Sequence, residues 1–421
     1  MNKILKIIKR YLSFELLFVL YTMAGMYKAD PRFAFFENFI KIDITVFFLL
    51  LSIYIGGIIF LINLLKKKNI SKYSLTYVCL YLTFSAFVLF SLFYTPGIKY
   101  ATDKAFRILI LTGWASIGST IIISDRERIQ RFFIIFILLG ILISIDCINN
   151  YFTMITVMGY LTRVGGAGAG YLGTGQVAGI SLLLLLIQML GIRRVSYKII
   201  SFLFLVILLI ALLISGGRGP VFATLIGFIT LVFLSFRLRC SKIYLQKGYK
   251  FLSFILMILI ILTIVLARMG YFEILERRTS LLLSQEGEES ALVRFEHYRR
   301  ALIIWSMHPL IGAGIGSFPV LIGLGDIRGY PHNLIIESLC ELGIVGLILL
   351  ALLIVYPLYL ISKVHYRDDP LGLSILIVFI IMLVNSMFSG DINDNRLLFT
   401  FAGFLVSYSS LKGIKRGDKD A

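Results

Sequence analysis

The residues of this chain best suited to chemistry gather between Arg268 and Val345. Three of the four histidines lie there, His297, His308 and His332, with seven arginines from Arg268 to Arg328. No lysine occurs between Lys250 and Lys363, although the chain elsewhere is rich in lysine. That choice of cation has a physical meaning. A guanidinium is always charged and forked, so it grips a phosphate or diphosphate through two parallel hydrogen bonds, where an ammonium offers a point charge. Arg294 is the candidate of this kind within the segment. Arg218, in Ser215-Gly216-Gly217-Arg218-Gly219-Pro220, and Arg163, beside the glycine-dense stretch 165–175, are candidates from elsewhere in the chain. The plain alternative for Arg218 is a side chain that snorkels to a membrane interface.

His332 is the candidate general base, because a neutral imidazole takes up a proton near neutral pH. It follows Pro331 and precedes Asn333, where a long apolar run begins. Its plain alternative is a helix cap or an interface residue. Asn333, Glu337 and Glu341 recur every four residues and share a helix face. The two carboxylates suit acid–base work with His332 or structural ion pairs with arginine. His297 and His308, near the ends of a preceding helix, are set behind His332. No Ser-His-Asp or Cys-His constellation is present. The four cysteines, Cys79, Cys147, Cys240 and Cys340, have no metal-ligand spacing. No metal site and no cofactor is expected.

These residues need elements to position them. The chain has 421 residues, 59% of them hydrophobic, with a mean hydropathy of +0.92. A soluble domain cannot cover that much apolar surface, so the expected fold is an all-α, polytopic transmembrane bundle in one integral membrane domain, 1–421. Apolar runs mark about twelve spans: 12–27, 41–65, 74–95, 105–123, 132–151, 176–192, 199–215, 219–236, 251–267, 333–361, 371–389 and 396–411. The net charge of +18 belongs to cytoplasmic loops, such as Lys66-Lys67-Lys68 and Arg193-Arg194, and to the tail from Lys412. No zinc spacing or basic-aromatic domain points to nucleic acid. Basic-loop placement predicts both termini in the cytoplasm and the segment 268–332 as an extracytoplasmic loop. Within the loop, Ser290 is the expected N-cap of a helix, Ala291–Met307. Its apolar stripe is Phe295, Tyr298, Leu302 and Trp305, and Pro309 ends it. The glycines at 165–175 read either as a phosphate-approaching loop or as close helix packing.

The segment resembles the O-antigen ligase and polymerase family of membrane glycosyltransferases. The resemblance rests on Arg294, Tyr298, His308-Pro309-Leu310, Gly312, Gly314, Gly316, Phe318, His332-Asn333, Glu337 and Glu341-Leu342-Gly343-Ile344-Val345-Gly346. Arg218 with its glycines, and Arg163 to Ala178, match further family features more loosely. The resemblance implies a donor glycan on undecaprenyl diphosphate, an acceptor glycan, and inverting, metal-independent transfer at the outer face of a bacterial cytoplasmic membrane. It implies that Arg218 and Arg294, with Arg163, hold the diphosphate and that His332 handles the proton of the attacking hydroxyl. Polymerase and ligase both fit these motifs. A flippase or transporter is the reading from another class. The lipid bilayer is the obligatory partner, and a chain-length regulator is a further candidate one.

Overall fold

The computed structural model describes residues 13–34, 38, 41–67, 69–158, 163–191, 194–239, 242–245, isolated positions between 257 and 270, and 289–413. Most of the expected span 251–267, and 271–288 of the expected loop, lie outside the described residues. The described helices are α1 (Phe14–Met23), α2 (Ile44–Leu65), α3 (Lys72–Phe90), α4 (Lys99–Ile122), α5 (Arg126–Met158), α6 (Tyr171–Met189) and α7 (Val195–Ile214). They continue with α8 (Arg218–Ser235), α9 (Glu289–Met307), α10 (Ser317–Leu321), α11 (Leu334–Ser362), α12 (Pro370–Ser386) and α13 (Arg396–Lys412). Among the described residues, eight helices are long and apolar enough to cross a membrane: α2 to α8 and α11. Two shorter apolar helices cover Phe14–Met26 and Pro370–Ser386. One feature was not expected, an antiparallel ladder pairing Phe236–Arg239 with Lys242–Leu245.

Helix is the form these apolar runs must take, because hydrocarbon offers no partner to a free backbone group. Where α4 departs from regular helix, side chains supply the partners. Its turns widen at Arg107–Thr112 and Gly118–Ile122. The Tyr81 hydroxyl donates to the Ile108 carbonyl at 2.7 Å, and the Ser407 hydroxyl lies 3.0 and 2.8 Å from the Ser119 and Thr120 carbonyls. Apolar stripes that no helix covers remain exposed, as with Leu50, Tyr54, Leu61 and Leu65 along α2. Spaced by four and seven residues, they form one lipid-facing strip.

The chain divides into two units. The first holds residues 1–48, 130–286 and 366–381. Its core includes Phe18, Phe132 and Phe136 and the wholly buried run of α6. The glycine stretch in this unit serves close packing. A Cβ on Gly166 would meet the Ile143 carbonyl oxygen of α5 at 2.1 Å, and one on Gly175 would meet Pro220 at 2.9 Å.

The second unit holds residues 49–129, 287–365 and 382–421. Here α9 begins at Glu289, close to the expected start, but its buried contacts differ from the expected stripe. Ala301 and Ile304 pack with Ala313, Phe318 and Cys340, while Phe295 is 67% exposed. Small Ala301 permits close approach, which the larger aromatic residues would prevent.

The glycine motif after Pro309 has a second partner in α11. This helix breaks at Gly343, whose φ of 66° and ψ of −164° leave the helical region. The segment 309–314 fills the break with its own backbone. Ala313 N–H donates to the Cys340 carbonyl and Gly314 N–H to the Glu341 carbonyl, while Ile344 and Val345 N–H donate to the Pro309 and Leu310 carbonyls. Two peptide backbones touch, so neither side tolerates a side chain. A Cβ on Gly312 would fall 2.4 Å from the Glu341 carbonyl carbon, and one on Gly343 would fall 2.4 Å from the Leu310 carbonyl oxygen. Gly343→Ala is expected to destabilise the protein by at least about 1–3 kcal/mol, the range for a strained non-glycine backbone. The melting midpoint of the purified protein in detergent checks it.

Candidate active site

His332 lies just before α11. Its φ is 64°, a left-handed conformation uncommon for a residue with a side chain. Asn333 explains how the chain recovers. Its side-chain oxygen accepts from Ile335 N–H at 3.0 Å and Ile336 N–H at 3.1 Å, capping α11, while its amide donates to the Met387 carbonyl at 3.2 Å. Asn333 therefore supports the site by fixing the helix start.

The His332 ring sits among aromatic and cationic groups. Tyr330 meets it edge-on at 4.5 Å between centroids, and the His297 ring lies parallel to it at 6.3 Å. Arg328 stands over the Tyr330 ring at 5.5 Å and pairs with Asp394. Arg294 is one turn before His297 on α9. Burial and then the charge of Arg294, with His297 and Arg328, push His332 down to about 4, against the opposing pull of Asp391. The imidazole is thus neutral across the physiological range and able to accept a proton. Arg299 and Arg300 both bind Glu296, whereas Arg294 meets no carboxylate among the described residues. A permanent cation so placed beside a neutral imidazole suits an anionic ligand.

Below His332 is a cluster that the sequence reading did not find. Lys104 of α4 donates to Glu337 at 2.5 Å, Glu341 at 2.7 Å and Asp391 at 3.0 Å, and all four side chains are 0% exposed. All three ammonium protons are used. The Tyr100 hydroxyl, one turn before Lys104, donates to Asp391. Asn393 donates to the same carboxylate at 2.9 and 3.0 Å when its amide is oriented to match it. Burial works against ionised Asp391, but Lys104 and the hydrogen bonds from Glu337 and Tyr100 outweigh it and hold the carboxyl below its ordinary range. Three carboxyl groups facing one cation must also share protons, because a net double negative charge is too costly in so dry a place. Glu337 and Glu341 are therefore tied to a lysine, and arginine is not their partner. Both follow His332 on α11, so the cluster fixes the helix that carries it. Asp326 makes a related tie, accepting from the N–H groups of Ile98, Lys99 and Tyr100 at the start of α4 at 2.8–3.0 Å.

The sequence candidates thus divide. Arg294, His332, Asn333, Glu337 and Glu341 belong to the second unit, and Arg163 and Arg218 to the first. Arg163 lies over the Tyr171 ring at 4.8 Å and donates to its hydroxyl at 3.1 Å. Arg218 is the first residue of α8, after the left-handed Gly216. His297, which the sequence reading set behind His332, stands beside it. Lys104 stands just before the apolar run expected at 105–123, where a lysine is unremarkable. The signal that it was more is the four-residue step from Tyr100 to Lys104, which places both on one face of α4.

This arrangement lies largely within one recognisable stretch. Residues 203–351 match the O-antigen ligase family model. The match bears out the resemblance to the O-antigen ligase/polymerase family, whose members are glycosyltransferase-like enzymes of polysaccharide biosynthesis in membranes. It takes in Arg218, Arg294, His332, Glu337 and Glu341, while Arg163, Lys104 and Asp391 fall outside it. A comparison with curated proteins gives no match.

Two outcomes are expected from this geometry. Lys104→Met leaves three carboxyl groups without their cation, a loss of about 3–5 kcal/mol for a broken buried pair. The melting midpoint of the detergent-solubilised protein should drop, and adding Glu341→Gln should recover part of the drop. Second, the His332 imidazole should titrate near pH 4 by NMR of histidine-labelled protein. Pyrophosphate should raise that midpoint, because an anion beside Arg294 offsets the positive charge that disfavours imidazolium.

Proposed function

We propose that the protein is a bacterial surface-polysaccharide polymerase of the O-antigen or capsule type. It transfers glycan from undecaprenyl diphosphate to a sugar hydroxyl of an acceptor glycan, at the outer face of the cytoplasmic membrane. Both termini lie in the cytoplasm on this reading. The observation that carries it is the pairing of Arg294, without a carboxylate partner among the described residues, with a neutral His332 inside the stretch that matches the O-antigen ligase family.

In this mechanism the diphosphate of the donor is held by Arg294. His332 takes the proton of the acceptor hydroxyl as its oxygen attacks the anomeric carbon. The bond from that carbon to the diphosphate oxygen breaks on the opposite face, and the configuration inverts. The leaving diphosphate takes the electron pair, and the guanidinium charge stabilises it as it develops. No metal enters this scheme, since arginine supplies the countercharge.

The second reading is a ligase, which moves finished glycan to lipid A-core or another final acceptor. The description of the matching family favours it. Surface-glycan analysis of a deletion strain separates the two. A single repeat unit on the final acceptor means polymerase, long polymer left on the lipid carrier means ligase, and normal glycan overturns both. Complementation with His332→Ala should fail although the protein inserts, and Arg294→Lys should fail nearly as badly as Arg294→Ala, because one ammonium does not replace a fork.

A further inference from the structure

A base that takes a proton at every turnover must also pass it on to an acceptor. Arg294 and Arg328 make the His332 imidazolium ready to give its proton up, but the phenol of Tyr330, pushed up to about 12 mainly by burial, stays protonated and does not take it. On the other side stands His297. The two imidazole planes lie within 2° of parallel, with centroids 6.3 Å apart. Two hydrogen bonds of about 2.8 Å reach at most about 5.6 Å, so one water links the rings where nitrogens on their nearer edges, rather than their centroids, face it. His297 Nδ1 is buried and has no hydrogen-bond partner among the described residues. Its ring is held edge-on by Phe318 at 5.5 Å.

We propose that His297 is the proton-accepting partner of His332, the two imidazoles forming a relay through a single bridging water that clears the active site after each glycosyl transfer. The inference rests on the transferase reading above. The bookkeeping of the step is simple. The acceptor hydroxyl gives its proton to His332 as the new glycosidic bond forms. His332 imidazolium gives a proton to the bridging water, which gives one to His297, and His297 releases it to bulk water. Both rings end neutral, and the diphosphate leaves as the anion.

The charges around each ring favour this direction. Arg294 and Arg328 face His332, with Asp391 opposing them. His297 is lowered by burial and Arg300, but the adjacent Glu296 carboxylate pulls the other way. The more exposed ring, with a carboxylate one residue away, is the easier place for the proton to rest. His297 acts through His332 and need not touch substrate.

The test uses the full-length protein in nanodiscs, with undecaprenyl-diphosphate-linked oligosaccharide extracted from membranes of the deletion strain. His297→Phe preserves the ring against Phe318 and removes the relay. The expected result is a fall in kcat of about 100-fold, the lower end of what a positioned acid–base group contributes, with KM for the donor unchanged. The loss should be deepest in weak buffer. Free imidazole should restore His297→Ala, and the acid limb of the pH–rate profile should move. Activity of His297→Phe within twofold of the parent at every pH, while His332→Ala is inactive, overturns the relay and leaves the active-site reading standing. Full activity of His332→Ala removes the active-site reading as well. Loss of activity in His297→Phe that free imidazole does not restore in His297→Ala means that the ring is structural, and also overturns the relay.

Discussion

One ammonium ion decides much of this molecule. Lys104 sits at the centre of three carboxyl groups, all fully buried, and each contact draws a different part of the chain inward. Glu337 and Glu341 fix the first turns of α11. Asp391 fixes the loop between α12 and α13, and Ile392 N–H adds a hydrogen bond to Glu337 at 3.3 Å. Tyr100 strengthens the same knot from one turn away. The Coulomb attraction does not make the arrangement cheap, because burying four ionisable groups carries a heavy desolvation penalty. What it supplies is specificity. Only one relative placement of α4, α11 and the 391–394 turn lets every ammonium proton find an acceptor. His332 stands five residues before Glu337, so its position follows from the knot.

The second constraint is the contact of bare backbone at Gly312 and Gly343. An interrupted helix at membrane depth leaves unsatisfied carbonyl and N–H groups, and the loop after Pro309 brings a matching set. This is why the glycines there are spaced as they are. They clear room for main chain rather than confer looseness, and their φ angles of 72° and 66° close off the alternative of a small side chain. The same loop follows α9, which carries Arg294 and His297, and bonds through its backbone to α11, so the two sides of the candidate site are joined by main-chain hydrogen bonds.

Much of this was legible in residue types and spacing. The apolar runs located eight helices long enough to span, because hydrocarbon enforces helix wherever such a run occurs. The arginine-only segment and the Pro331-His332-Asn333 step pointed to the candidate site, because each is a local signal. What was not legible depends on long-range pairing. Lys104 is separated from Glu337 by 233 residues, and a lysine just before an apolar run looks the same whether it snorkels to water or turns inward. The stripe of α9 shows a related limit. Periodicity shows that a face is apolar, but not whether a protein neighbour or lipid covers it, and Ala301 with Ile304 proved to be the packed pair. The closeness of His297 to His332 is likewise a tertiary fact.

The distance in sequence between Lys104 and its carboxylates has a consequence for biogenesis. The chain is made from its N-terminus, so the ammonium emerges long before any of the three groups that neutralise it. Through all that synthesis α4 carries an uncompensated charge at its end, which a bilayer accepts poorly. Its final depth is therefore set late, when α11 arrives with two acids, and later still when Asp391 follows. A nascent chain halted before α11 has none of the three carboxyl partners of Lys104.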